Sequence, residues 1–212
     1  RDLVRSRGLG DVYKRQDWFR QYMLVGGMPQ AVSEYAKSKD FKRVDIIKKQ
    51  ILNTYRSDIT RFAKGYKEKV EAIFDDIPSE LSKKNKKFKI TALGENARMR
   101  DYENSFMWLA DGMISSLCFN ASDPSSVGLS MYLDRPTLKC YMCDTGLLVT
   151  HALMDRDGAD NTFYRDILLD KLGVNEGMFM ENIVAQMLQA SGNRLFYYCL
   201  LYTSPSPRDR TR

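Results

Sequence analysis

Four groups of residues in this chain of 212 have types and spacings that could do chemistry. Cys140-Tyr-Met-Cys143 has the spacing of a zinc knuckle or a thioredoxin-like pair. It falls in "LKCYMCD", which reads as a strand. Residues i and i+3 of a strand point to opposite faces, so both sulfurs cannot reach one ion, and the pair is expected to be two small core residues. His151 is the one histidine. That excludes a His-rich metal site and leaves a single base for any Ser-His-Asp arrangement; on a short, mostly apolar helix it reads as structural. Asp155, Asp157 and Asp160 in "DRDGADN" imitate a calcium loop. The bidentate glutamate of such a loop would be Asp166, and Gly158 stands too early for the turn, so the reading fails. Lys83, Lys84, Lys86, Lys87 and Lys89, followed by Arg98 and Arg100, form the densest positive stretch, either a solvated loop or a phosphate-binding surface. Neither G-x-x-x-x-G-K-[ST] nor G-x-G-x-x-G occurs between residues 17 and 198, so those means of cradling a triphosphate are absent there.

The two ends qualify the charge argument. "SRGLGDVYKRQ" (6–16) and "CLLYTSPSPR" (199–208) can be encoded by one DNA string and its reverse complement read with a one-base shift. Inverted copies of a DNA string at both ends are not a protein feature, and the string resembles a transposon adapter used in sequencing libraries. Residues 1–16 and 199–212 are therefore expected to be translated adapter, and 17–198 an internal fragment of a longer protein. The ends carry +3 and +2 of the formal +6, leaving +1, so the basic pI says nothing about nucleic acid and binding must rest on local patches. Cysteines fall from four to three (Cys118, Cys140, Cys143), an odd, sparse set that fits the reducing cytoplasm. No apolar run approaches the roughly 18 residues of a membrane span.

The elements that must position these residues are mainly helical, with few strands. A short helix, a Gly26-Gly27 break and a second helix opened by Pro29 come first. Asp40 caps a long helix with Phe41, Val44, Ile47, Ile51, Tyr55, Ile59 and Phe62 inward, ending at Lys64-Gly65. Val70, Ile73, Phe74, Ile77 and Leu81 make another buried face, which Pro78 should break or kink. "SKKNKKFKI" reads as a basic turn leading into a short strand, and 95–113 as a helix with Met99, Tyr102, Phe106 and Leu109 inward. "SSLCFNASD" and "LKCYMCD" read as strands, "GLLVTHAL" as a helix capped by Asp144 or Thr145, 162–171 and 176–190 as helices, and "NRLFYY" as a strand. The order helix, basic turn, helix, hairpin over about 66–143 is that of a winged helix. The helix carrying Arg98 and Arg100 would then be the recognition helix, and Ser115 to Asp144 the wing. Winged helices also serve as packing modules, so DNA contact and packing both stay open.

Six stretches, in order and spacing, resemble one family: "WFRQYMLVGGMPQAV", "YRSDITRFA", "IFDDIPSELSKKNKKFKI", "RMRDYENSFMWLADGMI", "LKCYMCDTGLL" and "EGMFMENIVAQML". They are similar to prokaryotic AAA-family P-loop ATPases whose C-terminal half is domain of unknown function 4143. The resemblance implies an α+β chain in three parts: a helical segment (17–65) following an ATPase core absent here, a winged-helix-like region (66–153), and the start of a PD-(D/E)XK-nuclease-like fold (154–198). It implies ATP and magnesium for the longer protein, with no cofactor held by this chain, and the ATPase domain as a partner in cis. It matches Glu181 to the glutamate on the first helix of the nuclease-like fold, with the remaining carboxylates beyond Tyr198. The expected function is a recognition and regulatory portion that contacts double-stranded DNA through Lys84, Lys86, Lys87, Lys89, Arg98 and Arg100, inert by itself. A metal-dependent DNA-cleaving enzyme using Glu181 and a protein-interaction module are the alternatives.

Overall fold

The computed structural model describes residues 2–123, 125, 127–154, 164, 166 and 176–198, with side chains from residue 14 onward apart from Glu176. The chain is α+β and mainly helical. In order come α1 (Asp2–Val25), α2 (Pro29–Ser38), α3 (Phe41–Phe62), α4 (Lys67–Ser82), two 3-10 turns (Ile90–Ala92 and Met99–Asp101) and α5 (Glu103–Asp111). Then follow β1 (Ser115–Ala121), a third 3-10 turn (Leu129–Tyr132), β2 (Leu133–Met142), α6 (Thr145–Ala152), α7 (Glu176–Ala190) and β3 (Leu195–Tyr197). The aspartates of "DRDGADN" and most of the expected 162–171 helix lie outside the described residues.

Local signals set the helix starts. Gly26 takes φ +81°, which breaks the chain after α1, and Pro29 sits in the first turn of α2. The Asp40 carboxylate accepts from the Lys42 and Arg43 amides at 2.8 and 3.3 Å, as an N-cap should. The buried face of α3 is turned from the expected one. It consists of Phe41, Val44, Asp45, Lys48, Leu52 and Ile59, while Phe62 is 57% exposed. Two charged residues thus point inward, because their partners lie on other elements. In α4 the helix runs through Pro78 to Ser82 rather than stopping there. Ile73, Phe74, Ile77 and Leu81 are fully buried around it, and that packing outweighs a proline cost of about 3 kcal/mol.

The expected helix over 95–113 is shorter. Residues 99–101 form a 3-10 turn, and α5 begins only at Glu103. Lys69 on α4 donates to the Asp101 carbonyl at 2.8 Å and lies over the Tyr102 ring, diverting backbone that a continuous helix would use. The strand expected after the basic turn is one hydrogen bond, from the Phe88 amide to the Leu138 carbonyl at 2.8 Å.

The sheet has strand order β2-β1-β3. β1 and β2 pair antiparallel, with a register shift between Phe119 and Asn120, and β3 joins β1 in parallel. The hairpin and the strand "LFY" therefore share one sheet. Alternation sends Cys118, Lys139 and Tyr141 toward α7, and Leu117, Phe119, Leu138 and Cys140 toward the α4–α5 side. One continuous core runs from Met23 and Leu24 through α3, α4 and the sheet to Phe179 and Ile183.

Candidate functional site

Glu181, on the sheet-facing side of α7, is the sequence candidate with the most developed surroundings. Its Oε1 accepts from Lys139 Nζ at 2.5 Å and from the Tyr141 hydroxyl at 2.6 Å. Lys139 and Tyr141 stand two apart on β2, so the pleat presents both to the same carboxylate. Oε2 faces Lys86 Nζ of the basic turn at 3.2 Å. Burial opposes ionisation of Glu181, but hydrogen bonds from Lys139 and Tyr141, with Lys86 behind them, outweigh it and hold the carboxyl below its usual range. Tyr141 moves up, first through burial and then through its bond to Glu181. The neighbouring Cys118 thiol is pushed up to about 11 by burial, so it is no ready nucleophile. The Tyr197 ring lies 4.8 Å from Lys139 Nζ. Chemically, the arrangement is an ionic clasp joining the basic turn, β2 and α7. Among the described residues no group of three or more His, Cys, Asp or Glu side chains converges to hold a metal ion.

The clasp divides the expected DNA-contacting residues. Lys86 is turned inward, its side chain 15% exposed. Lys84, Lys89, Arg98 and Arg100 are exposed and Lys87 is half-buried. Arg100 lies 3.7 Å from Asp101. Lys84, Lys87, Lys89 and Arg98 have no acidic side chain in ion-pair range among the described residues. The turn is anchored by buried Glu80, which pairs with Lys83 and accepts from the Lys89 amide at 3.0 Å. Arg98 and Arg100 are not on a recognition helix, since both precede α5. The exposed positions of α5 are Glu103, Asn104, Met107 and Asp111, and none of them carries a positive charge.

A second constellation, missed in the sequence, joins three of the six resembling stretches. Asp144 caps α6, its Oδ1 accepting from the Leu147 amide at 2.9 Å, while Oδ2 takes the Gly27 amide at 2.6 Å. Asn182 donates to the Met142 carbonyl and accepts from its amide. Gln186 accepts from both the amide and hydroxyl of Thr145 and donates to the Tyr22 hydroxyl. Lys48 is 1% exposed, and its Nζ donates to the carbonyls of Leu24 at 2.7 Å and Gly146 at 3.3 Å. This joint ties α1, α3, α6 and α7 together. The sequence signals were the Asp144 cap and the Gly26-Gly27 break, both expected, and Asp45 and Lys48 interrupting an apolar helix face at helical spacing; nothing local joins them.

Burial lowers the Lys48 ammonium pKa from 10.5 to about 8, against the pull of Asp45 and Asp144. With the folded value below the unfolded one, the unfolded chain binds the extra proton between them. The cost of the charged amine is complete below pH 8 and is relieved as pH rises toward 10.5, worth about 3 kcal/mol. Buried Cys118 and Cys140 and half-buried Cys143, raised by desolvation to about 11, 12 and 12, act oppositely above pH 9. Wild type must therefore be compared with Lys48→Met. The unfolding free energy of wild type minus that of the variant is expected to climb by up to about 3 kcal/mol across that window. A flat difference in denaturant titrations at each pH would show that Lys48 is not held this way.

The remaining candidates are structural in their contacts. Cys140 and Cys143 lie apart in environment: Cys140 is in the core, and Cys143 is beside Tyr55 and Asp144. His151 is enclosed, stacked on Phe74 at 4.7 Å, with Nε2 3.7 Å from Asp75 and 3.5 Å from Arg56.

Among the described residues no helix is long and apolar enough to cross a membrane. No curated protein and no solved structure matches this chain. One family model does match, over residues 16–158, which takes in the basic turn, the hairpin, Lys48, both glycines of the Gly26-Gly27 turn, and Asp144 with α6. That span is more than half of the sequence, and the chain belongs to the family described as domain of unknown function 8612.

Proposed function

We propose that this chain is the recognition and regulatory portion of a cytoplasmic P-loop ATPase of the AAA type, and that it grips the phosphate backbone of double-stranded DNA through its basic turn. The observation that carries the DNA part is the set Lys84, Lys87, Lys89 and Arg98, four cations without an acidic partner among the described residues. Cations held on turns, beside an α5 whose exposed face carries no positive charge, suit contacts to phosphate, so binding should be largely insensitive to sequence. The six resembling stretches support the ATPase part, in which ATP and magnesium belong to a domain preceding this one. The chain itself turns over neither ATP nor DNA. Glu181 lends the cleavage reading little, because its oxygens already serve two ammonium groups and a phenol.

The test is fluorescence anisotropy of a labelled random-sequence duplex titrated with the full chain at several salt concentrations. Each phosphate contact contributes about −0.9 to the slope of log K against log salt. Reversing Lys84, Lys87 and Arg98 to glutamate is expected to weaken binding at least about tenfold and flatten the slope by about 2 to 3. The same reversals at Lys37, Arg61 and Lys64, which lie on or beside other helices, control for net charge. Equal losses in both triples would remove the basic turn from the account.

A further inference from the structure

Glu181 and the basic turn share a residue, and the sharing is uneven. Two ammonium groups, Lys86 and Lys139, surround one carboxylate. Oε1 is fully engaged by Lys139 and Tyr141 at 2.5 and 2.6 Å, and Lys139 is further fixed beneath the Tyr197 ring. Oε2 has Lys86 at the longer distance of 3.2 Å. Lys86 comes from the same short turn as Lys84, Lys87 and Lys89. If Lys86 leaves, Glu181 still keeps a cation and a hydroxyl donor on Oε1, so release does not strand a buried charge. The Glu181 carboxylate is also one-third exposed, at 32%, so water can reach the side that Lys86 vacates.

We propose that Glu181 is an internal competitor for DNA phosphate, withholding Lys86 from the basic turn and thereby weakening the turn's grip. The inference rests on the phosphate-binding reading above. A carboxylate and a phosphate oxygen offer an ammonium group the same kind of charge-assisted hydrogen bond. In the free chain the nearby carboxylate wins. Glu181 is in this view a positioning residue that sets the strength of binding, not a ligand of anything that is cut.

The same anisotropy titration, over about 50 to 200 mM salt, tests it with Glu181→Gln, Lys86→Gln and the double variant. Charges elsewhere in the chain are common to all of them and drop out of the differences. Glu181→Gln is expected to bind more tightly than wild type and to steepen the salt slope by about one contact. Lys86→Gln alone should leave the slope at the wild-type value, and the double variant should return to it. Tighter binding by Glu181→Gln that survives in the double variant would overturn the assignment to Lys86. A wild-type slope in Glu181→Gln would overturn the competition while leaving the DNA reading intact. Salt-independent or absent binding by wild type would remove both readings together. Thermal melts establish that each variant is folded. Should Glu181→Gln fail to fold, Lys86→Gln decides alone, since a flattened slope would mean that Lys86 already contacts phosphate.

Discussion

Asp144→Ala is expected to destabilise the chain by about 3–5 kcal/mol, the range for breaking a buried, hydrogen-bonded charge. Asp144 is 2% exposed and performs three tasks. It caps α6 through the Leu147 amide, it satisfies the Gly27 amide across 117 residues of sequence, and its charge steadies the buried Lys48 ammonium. Loss of an N-cap costs about 1 kcal/mol by itself. The remainder comes from an orphaned Gly27 donor and a lysine left with one fewer counter-charge. Asp144→Asn keeps an acceptor at the site and should lose distinctly less. Urea denaturation followed by circular dichroism separates the two variants. Equal and small losses would mean that the joint does not depend on this carboxylate.

Gly146→Ala is the second large effect, expected at about 3 kcal/mol or more, beyond the ordinary cost of overpacking. A Cβ at Gly146 would stand 2.5 Å from the Gly26 nitrogen and 2.5 Å from the Val25 carbonyl oxygen, and backbone cannot swing aside as a side chain can. The Gly-Gly turn is equally tight against the start of α6. Gly26 has φ +81°, and a Cβ there would meet Asp144 Oδ1 at 2.2 Å. For a chain of this length, about 3 kcal/mol corresponds to a fall in melting temperature of about 6–12 °C. Gly65→Ala is a useful contrast, because a Cβ there meets nothing within 4 Å and only its φ of +81° is at stake. A Gly146→Ala melt no lower than that of Gly65→Ala would mean that the α6 turn and the Gly-Gly turn do not touch.

Much of the helical frame was legible because its signals are local. The Asp40 cap, Pro29 in a first turn and the buried run from Val70 to Leu81 each follow from residues a few positions apart. The paired strands around Cys118 and Cys140 follow from alternation in the same way. What escaped depends on distant partners. The inward turn of Asp45 and Lys48 on α3 makes sense only with Thr150 accepted by Asp45 at 2.8 Å and the Leu24 and Gly146 carbonyls bound by Lys48. Periodicity alone favoured Ile47 and Ile51 instead. The start of α5 moved because Lys69 of another helix takes the Asp101 carbonyl. Glu181 stood out by resemblance, but its neighbours Lys139 and Tyr141 lie 42 and 40 residues earlier, and Lys86 lies farther still. Without that geometry, Lys86 looked like one more cation in a run.

The joint between the Gly-Gly turn and α6 has a consequence for how the chain is made. Synthesis delivers Tyr22, Gly27 and Lys48 long before their distant partners: Asp144 follows Gly27 by 117 residues, Gly146 follows Lys48 by 98, and Gln186 follows Tyr22 by 164. At about 5–20 residues per second, the first gap alone is about 6–23 s on the ribosome. Throughout that interval the nascent helices α1 to α3 carry a lysine pointing at an unfinished interior and a turn with nothing to accept its amide. They have only their apolar faces and a few local polar contacts, such as Lys48 on the Leu24 carbonyl and the Tyr35 hydroxyl on Gln21, to hold them together. The segment from α1 to α3 is thus committed to waiting, and a ribosome stalled ahead of α6 would display it for chaperones or proteases to find.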